Sequence, residues 1–211
     1  MSEILIGRLL RANSQGCVAG CQITQALPAF GAMVRIQIKE TEMVYGVISN
    51  IFIDDDGLVR QLAAGSEIPE EIIQDNRLNR NVPVELRVRF IGYALAGRIS
   101  HSLPPHPPLS LDRMTACQNE EICIFTNHGQ YAYLRHILTV DDIPPADLAA
   151  AHFMQTHQAQ TKSGNQTWLT GAIQNAIQFW RDDPANLHAL LTDCSTLLPD
   201  DTTINQEVVN G

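Results

Sequence analysis

The chain has 211 residues, 45% of them hydrophobic and 18% charged, which is enough apolar material for one packed domain and an appendage and excludes a wholly disordered chain. The net charge of -9 is uneven: residues 1–140 carry 12 basic and 14 acidic residues, whereas residues 141–211 carry 2 and 9. An acidic second part and a near-neutral first part argue against nucleic acid as the main ligand, and no apolar run reaches the roughly 20 residues of a membrane span.

The first two-thirds of the chain reads as β. Glu3–Leu10 opens as a strand, with Ile4 and Ile6 alternating against Leu5 and Gly7. Val34, Ile36 and Ile38 alternate with Met33, Arg35, Gln37 and Lys39, the period of a half-buried strand. Met43–Ile53 is a longer β-branched and aromatic run in which Gly46 predicts a bulge or bend. Asp54–Gly57 reads as a turn, and Leu58–Leu62 as its returning strand.

A short helix is expected at 68–79, started by Pro69 and the adjacent Glu70 and Glu71. In Val82–Tyr93, Val84, Leu86, Val88 and Phe90 face one way, and Glu85, Arg87 and Arg89 the other. The proline-rich stretch Leu103–Leu109 requires an extended loop, because proline removes ladder donors. Two further strands are expected at Glu120–Phe125 and Tyr131–Leu138.

Past Asp141 the pattern turns helical. Pro144–Pro145 opens a helix to about Gln158, and Thr161–Gly164 breaks it. In Gln166–Arg181, Trp168, Leu169, Ala172, Ile173, Ala176, Ile177 and Trp180 form one apolar stripe. Asp183–Pro184 reads as cap and first residue of a last helix through Leu198. Residues 199–211 read as a polar, loose end.

The segments Ile6–Leu9, Gly31–Ile36 and Val44–Ile48 resemble the HAS-barrel, and the later run from Val88–Gly92 to Pro104–Pro108 looks like that barrel's closing strand and proline-containing exit loop. This barrel stands at the N-terminus of HerA-type translocating ATPases and of rotary ATP synthase subunits. The resemblance covers roughly residues 3–140. It implies a small Greek-key β-barrel over 1–140; with the helical segment read over 141–198, the chain is expected to be α+β. In that family the barrel lies beside a P-loop ATPase domain and helps to assemble the ring. Here no G-x-x-x-x-G-K-[ST] occurs, the only lysines are Lys39 and Lys162, and the residues after Val140 are too few for an ATPase core. ATP hydrolysis is therefore not expected, and no family site residue carries over.

Other residue groups bear on chemistry. Cys17-x-x-x-Cys21 offers two thiols where zinc needs three or four ligands, so two small apolar residues in a β-turn is the better reading. Asp54–Gly57 lacks the alternating ligands of a calcium loop. His101, His106, His128 and His136 read as scattered loop histidines. Cys117 or Cys123 beside a histidine would make a nucleophile and base, but no nucleophile-elbow motif accompanies them. Five cysteines without a framework spacing or a signal sequence fit reduced thiols in a cytoplasmic protein.

The expectation is a non-catalytic protein-binding and assembly module, without cofactor or metal, working on a protein partner or as a homo-oligomer. Its candidate interface is Trp168, Ile173, Ile177 and Trp180. A role beside a HerA-like translocase or nuclease is the alternative, and it predicts a basic face from Arg8, Arg11, Arg87, Arg89 and Arg98. A Cys/His enzyme is the third reading.

Overall fold

A computed structural model describes residues 4–21, 27–54, 68–78 and 83–195. Seven strands run in the order β1 (Leu5–Ala12), β2 (Gly16–Cys21), β3 (Met33–Lys39), β4 (Glu42–Phe52), β5 (Val84–Leu95), β6 (Arg98–Ser100) and β7 (Arg113–Ala116). The antiparallel ladder runs β2-β1-β7-β3-β4-β5-β6, and β2 also pairs with β5, from Gly16 opposite Arg89 to Cys21 opposite Val84. That pairing closes a barrel of six strands, with β6 a short hairpin extension of β5. The neighbours β2-β5-β4-β3 form a Greek key, because the chain crosses over between β2 and β3.

Ile6, Leu9, Ile36, Val44, Ile48, Leu86, Phe90 and Met114 fill the barrel, with Cys17, Ala19 and Cys21 of β2 as the small residues among them. The opposite faces of β3, β4 and β5 are not left to solvent. Met33, Tyr45, Val47, Ile91 and Ala94 point outward into a second core, shared with the helices. A strand buried on both faces reads as a continuous apolar run, which is the pattern of Met43–Ile53. The register of β4 against β5 shifts between Tyr45 and Gly46, so the bulge expected at Gly46 is present.

The helices are α1 (Glu70–Leu78), α2 (Asn119–Asn127), a 3-10 segment (His128–Leu134), α3 (Arg135–Leu138), α4 (Pro145–Lys162), α5 (Trp168–Phe179) and α6 (Pro184–Cys194). Asp183 caps α6 as expected, its carboxylate accepting from the Asn186 N–H at 3.3 Å. The hairpin proposed for Asp54–Leu62 lies, beyond Asp54, outside the described residues, as does the end beyond Ser195.

Three expectations are corrected. Glu120–Phe125 and Tyr131–Leu138 are helical, not strands. A reciprocal capping box between Gln118 and Glu121 starts α2, with Glu120 also in the first turn, and Cys123, Phe125 and Thr126 bury one face. Local β propensity in Ile122–Phe125 yields to that start signal and to packing. Cys17 and Cys21 lie in a strand, not in a β-turn. Finally, the proline-rich stretch does not leave the barrel: it bridges β6 to β7, which pairs with β1 and β3 and completes the ring.

His152 fastens α4 to the barrel. It is fully buried, with Nδ1 3.1 Å from the Gly31 carbonyl and Nε2 3.0 Å from the Tyr133 hydroxyl. A carbonyl only accepts, so Nδ1 carries the proton and donates, and Nε2 accepts from Tyr133. Burial pushes His152 from its ordinary 6.5 down to about 4, against the opposing hydrogen bond to Gly31. Between those values the unfolded chain binds more protons than the folded one. Stability is therefore complete above about pH 6.5 and falls toward pH 4, by about 3 kcal/mol from this group. His101 and His136 are lowered in the same direction, first by burial. Urea melts at pH 7.5 and pH 4.5 should show a smaller difference for His152→Gln than for the wild type; an equal difference would remove His152 as a cause.

Candidate functional site

The apolar stripe of α5 faces inward. Trp168 is 1% exposed, Ile173 6% and Trp180 4%, all within the core shared by the helices and the barrel wall. Trp168 stacks edge-on to Phe153 of α4, with ring centroids 5.9 Å apart, and its carbonyl accepts from the Tyr131 hydroxyl at 3.2 Å. Of the four residues expected at an interface, only Ile177 reaches the surface.

The five arginines expected on one basic face divide among three places. Arg11, Arg87 and Arg89 line a cleft of about 350 Å³ with Asn13, Gln15 and Ser49. Arg87 Nη1 donates to Asp142 Oδ2 at 2.7 Å, and Arg89 Nη2 to Asp142 Oδ1 at 3.3 Å, so one carboxylate serves two guanidiniums. Arg11 pairs with Glu85 at 3.1 Å. Burial raises the Asp142 carboxyl, but the hydrogen bond from Arg87 and the charge of Arg89 outweigh it and hold the group below its ordinary range. Arg8 lies in a different cleft with Lys39 and Arg113, and Arg98 beside His128 and Ile124.

Arg8, on β1, reaches a tight turn that the proline-rich loop leads into. Its Nη1 donates to the Leu111 carbonyl at 2.9 Å, and the Leu111 N–H donates to the Leu9 carbonyl at 2.8 Å. The Leu109 N–H donates to Asp112 Oδ2 at 2.8 Å, and the Ser110 hydroxyl to the Leu10 carbonyl at 3.2 Å. Leu111 is held at φ 72°, the left-handed region where a branched side chain costs about 1–2 kcal/mol. The turn is thus pinned to β1 at both ends. It leaves Leu109 71% exposed and Leu111 67% exposed, next to the partly exposed Leu10. The sequence reading missed these leucines. The available signal was a Leu-Ser-Leu step directly after a proline run, in a loop with no core to fill.

The cysteines do not join the histidines, but His101, His128 and His136 lie together rather than scattered over loops. Cys123 donates to the Ser163 hydroxyl at 3.4 Å. Burial, with the neighbouring Glu121, pushes the Cys117 thiol well above its ordinary value. The rings of His101 and His128 meet edge-on with centroids 5.6 Å apart, and His136 Nε2 donates to the His101 carbonyl at 2.8 Å, while His106 is exposed on the proline-rich loop. Among the described residues, no group of three His, Cys, Asp or Glu side chains is placed to hold a metal ion, and no helix is long and apolar enough to cross a membrane. Comparison with models of known protein families gives no match, and comparison with curated proteins gives none either.

Proposed function

We propose that this chain is a non-catalytic assembly module. The barrel is the scaffold, and the Leu109–Leu111 turn is the contact that joins it to a second copy of the chain. The carrying observation is the turn itself: a strained backbone, hydrogen-bonded to β1, that holds two leucines out of the core. Strain retained at an exposed position needs a use, and apolar side chains fixed in water are of use to a partner that covers them. The likeness to the HAS-barrel, whose relatives form rings, supports a copy of the chain as that partner. Thiols raised by burial support a non-catalytic reading, because the thiolate is the nucleophile.

Leu111→Asn tests this cleanly. Asparagine tolerates the left-handed region, so the variant should melt at or above the wild-type temperature, by up to about 1 kcal/mol. Used as bait under mild cross-linking, wild-type chain should capture tagged copies of itself and Leu111→Asn should not. Equal capture by both baits would overturn the assignment. The second reading, an accessory subunit of a HerA-like translocase, is favoured by Arg8, Lys39 and Arg113 flanking the same turn. It predicts salt-sensitive binding of a duplex oligonucleotide that Arg8→Ala weakens.

A further inference from the structure

The cleft of Arg11, Arg87 and Arg89 lies apart from the leucine turn and plays no part in the assembly just proposed. It gathers three guanidiniums and two carboxylates, Asp142 and Glu85, which leaves it one positive charge in excess. Asp142 does not come from the barrel: it stands in the segment between α3 and α4 and reaches back across β5. Its two oxygens are divided between Arg87 and Arg89, a grip that guanidiniums give to carboxylates in general. The receiving groups are held in place without it. The Arg87 guanidinium lies over the Phe52 ring at 5.1 Å, and Arg89 Nη1 donates to Gln15 Oε1 at 3.4 Å. The Arg89 side chain is 23% exposed, so its charge is screened less than a free surface arginine's. Arg11, with a side chain 64% exposed, stands at the mouth, where it can follow an incoming group. A cleft of about 350 Å³ has room for one acidic side chain or a small polycarboxylate.

We infer that this cleft is a carboxylate-binding site, and that Asp142 is its resident occupant, displaced when an external carboxylate enters. The same two guanidiniums would hold either carboxylate, and Arg87 and Asp142 stay partly exposed, so exchange of one carboxylate for another is a near-balanced step that local concentration can drive. The favoured source is an acidic stretch of polypeptide, since the flanking Glu85 would disfavour the dense charge of a nucleic-acid backbone.

The test uses the full chain and a fluorescein-labelled hexaglutamate peptide, read by anisotropy at low salt, with citrate as competitor and a duplex oligonucleotide in a parallel arm. Asp142→Asn removes the occupant's charge while keeping its shape. It should tighten hexaglutamate binding about tenfold, and adding Arg89→Ala should abolish that gain. Peptide binding that citrate does not reverse assigns the site to a protein segment; reversal by stoichiometric citrate assigns it to a small polycarboxylate; either supports a carboxylate site. Unchanged affinity in Asp142→Asn, or a gain that survives Arg89→Ala, overturns the inference, and so does an oligonucleotide that binds more tightly than the peptide. Should Asp142→Asn fail to fold, Arg11→Ala leaves the Asp142 clamp intact. It must then weaken wild-type peptide binding several-fold, and no change would overturn the site.

Discussion

Replacing Gly31 by alanine is expected to remove about 4 kcal/mol of stability, a large share of what a domain of this size has to lose. Gly31 sits before β3 at φ 83°, and its missing side chain faces α4. A Cβ there would lie 2.7 Å from the Ala151 carbonyl carbon and from the His152 nitrogen, both backbone atoms of α4. Backbone cannot rotate aside as a long side chain can, so the helix must shift from the barrel or the strand from its partner. Either movement also disturbs two hydrogen bonds that Gly31 makes: its N–H to the Ile48 carbonyl at 2.9 Å, and its carbonyl to His152. Thermal or urea melts of Gly31→Ala measure the loss. Ala151→Gly should not rescue it, because it removes only the Ala151 Cβ, at 2.8 Å, and leaves the closer backbone in place. A Gly31→Ala variant within about 1 kcal/mol of wild type would show that the barrel and α4 are not in rigid contact here.

The second large effect is at Trp168. Truncation to alanine should cost about 3–5 kcal/mol, the range for emptying a buried aromatic site. The ring is 1% exposed and is met by Phe153 at 5.9 Å and Tyr131 at 5.9 Å. From there a chain of ring contacts runs through Phe153, His152, Tyr133 and Phe125 to Tyr45 on the barrel wall. A cavity at Trp168 therefore opens at the far end of the aromatic layer that joins the two parts of the chain. Phenylalanine is the informative control. The indole Nε1 is buried without a hydrogen-bond partner among the described residues, so Trp168→Phe loses area but relieves an unsatisfied donor. It should cost clearly less than alanine. If Trp168→Ala instead leaves the melting temperature unchanged, this tryptophan is free for the interface role its sequence pattern suggests.

Much of the fold was legible because period and punctuation agreed. The alternation in Met33–Lys39 and Val84–Phe90, the glycine at the β4 bulge and the Asp183–Pro184 helix start each combine a pattern with a local cause. The errors came where local preference and packing disagree. Ile122-Cys123-Ile124-Phe125 is as β-prone as any strand in the chain, yet its partner surface is the side of α4, and the Gln118–Glu121 box sets a helix. Strand β2 hid because Gly-Cys-Val-Ala-Gly-Cys is small: inside a narrow barrel, at the closing seam with β5, size outweighs β propensity. The surfaces proposed to carry function were the least legible. The stripe on α5 has the composition of an interface, but a helix on a barrel wall needs the same stripe for its own core. Conversely, Leu109 and Leu111 gave no periodic signal, since their exposure is set by one backbone angle and its hydrogen bonds. The arginines separated because Arg87 and Arg89, two apart on β5, share a face, whereas Arg8 and Arg11 lie three apart on β1 with a register shift between Leu9 and Arg11 and fall in different clefts, and Arg98 lies on β6.

The proposed assembly meets its most direct test in the solution mass of the full chain, by light scattering at physiological salt across a range of concentrations, for wild type and Leu111→Asn side by side. The wild type should form a closed oligomer and the variant should have the mass of a single chain, with melting temperatures that do not fall. A wild type that stays a single chain at every concentration, or an oligomer that Leu111→Asn leaves intact, would contradict it.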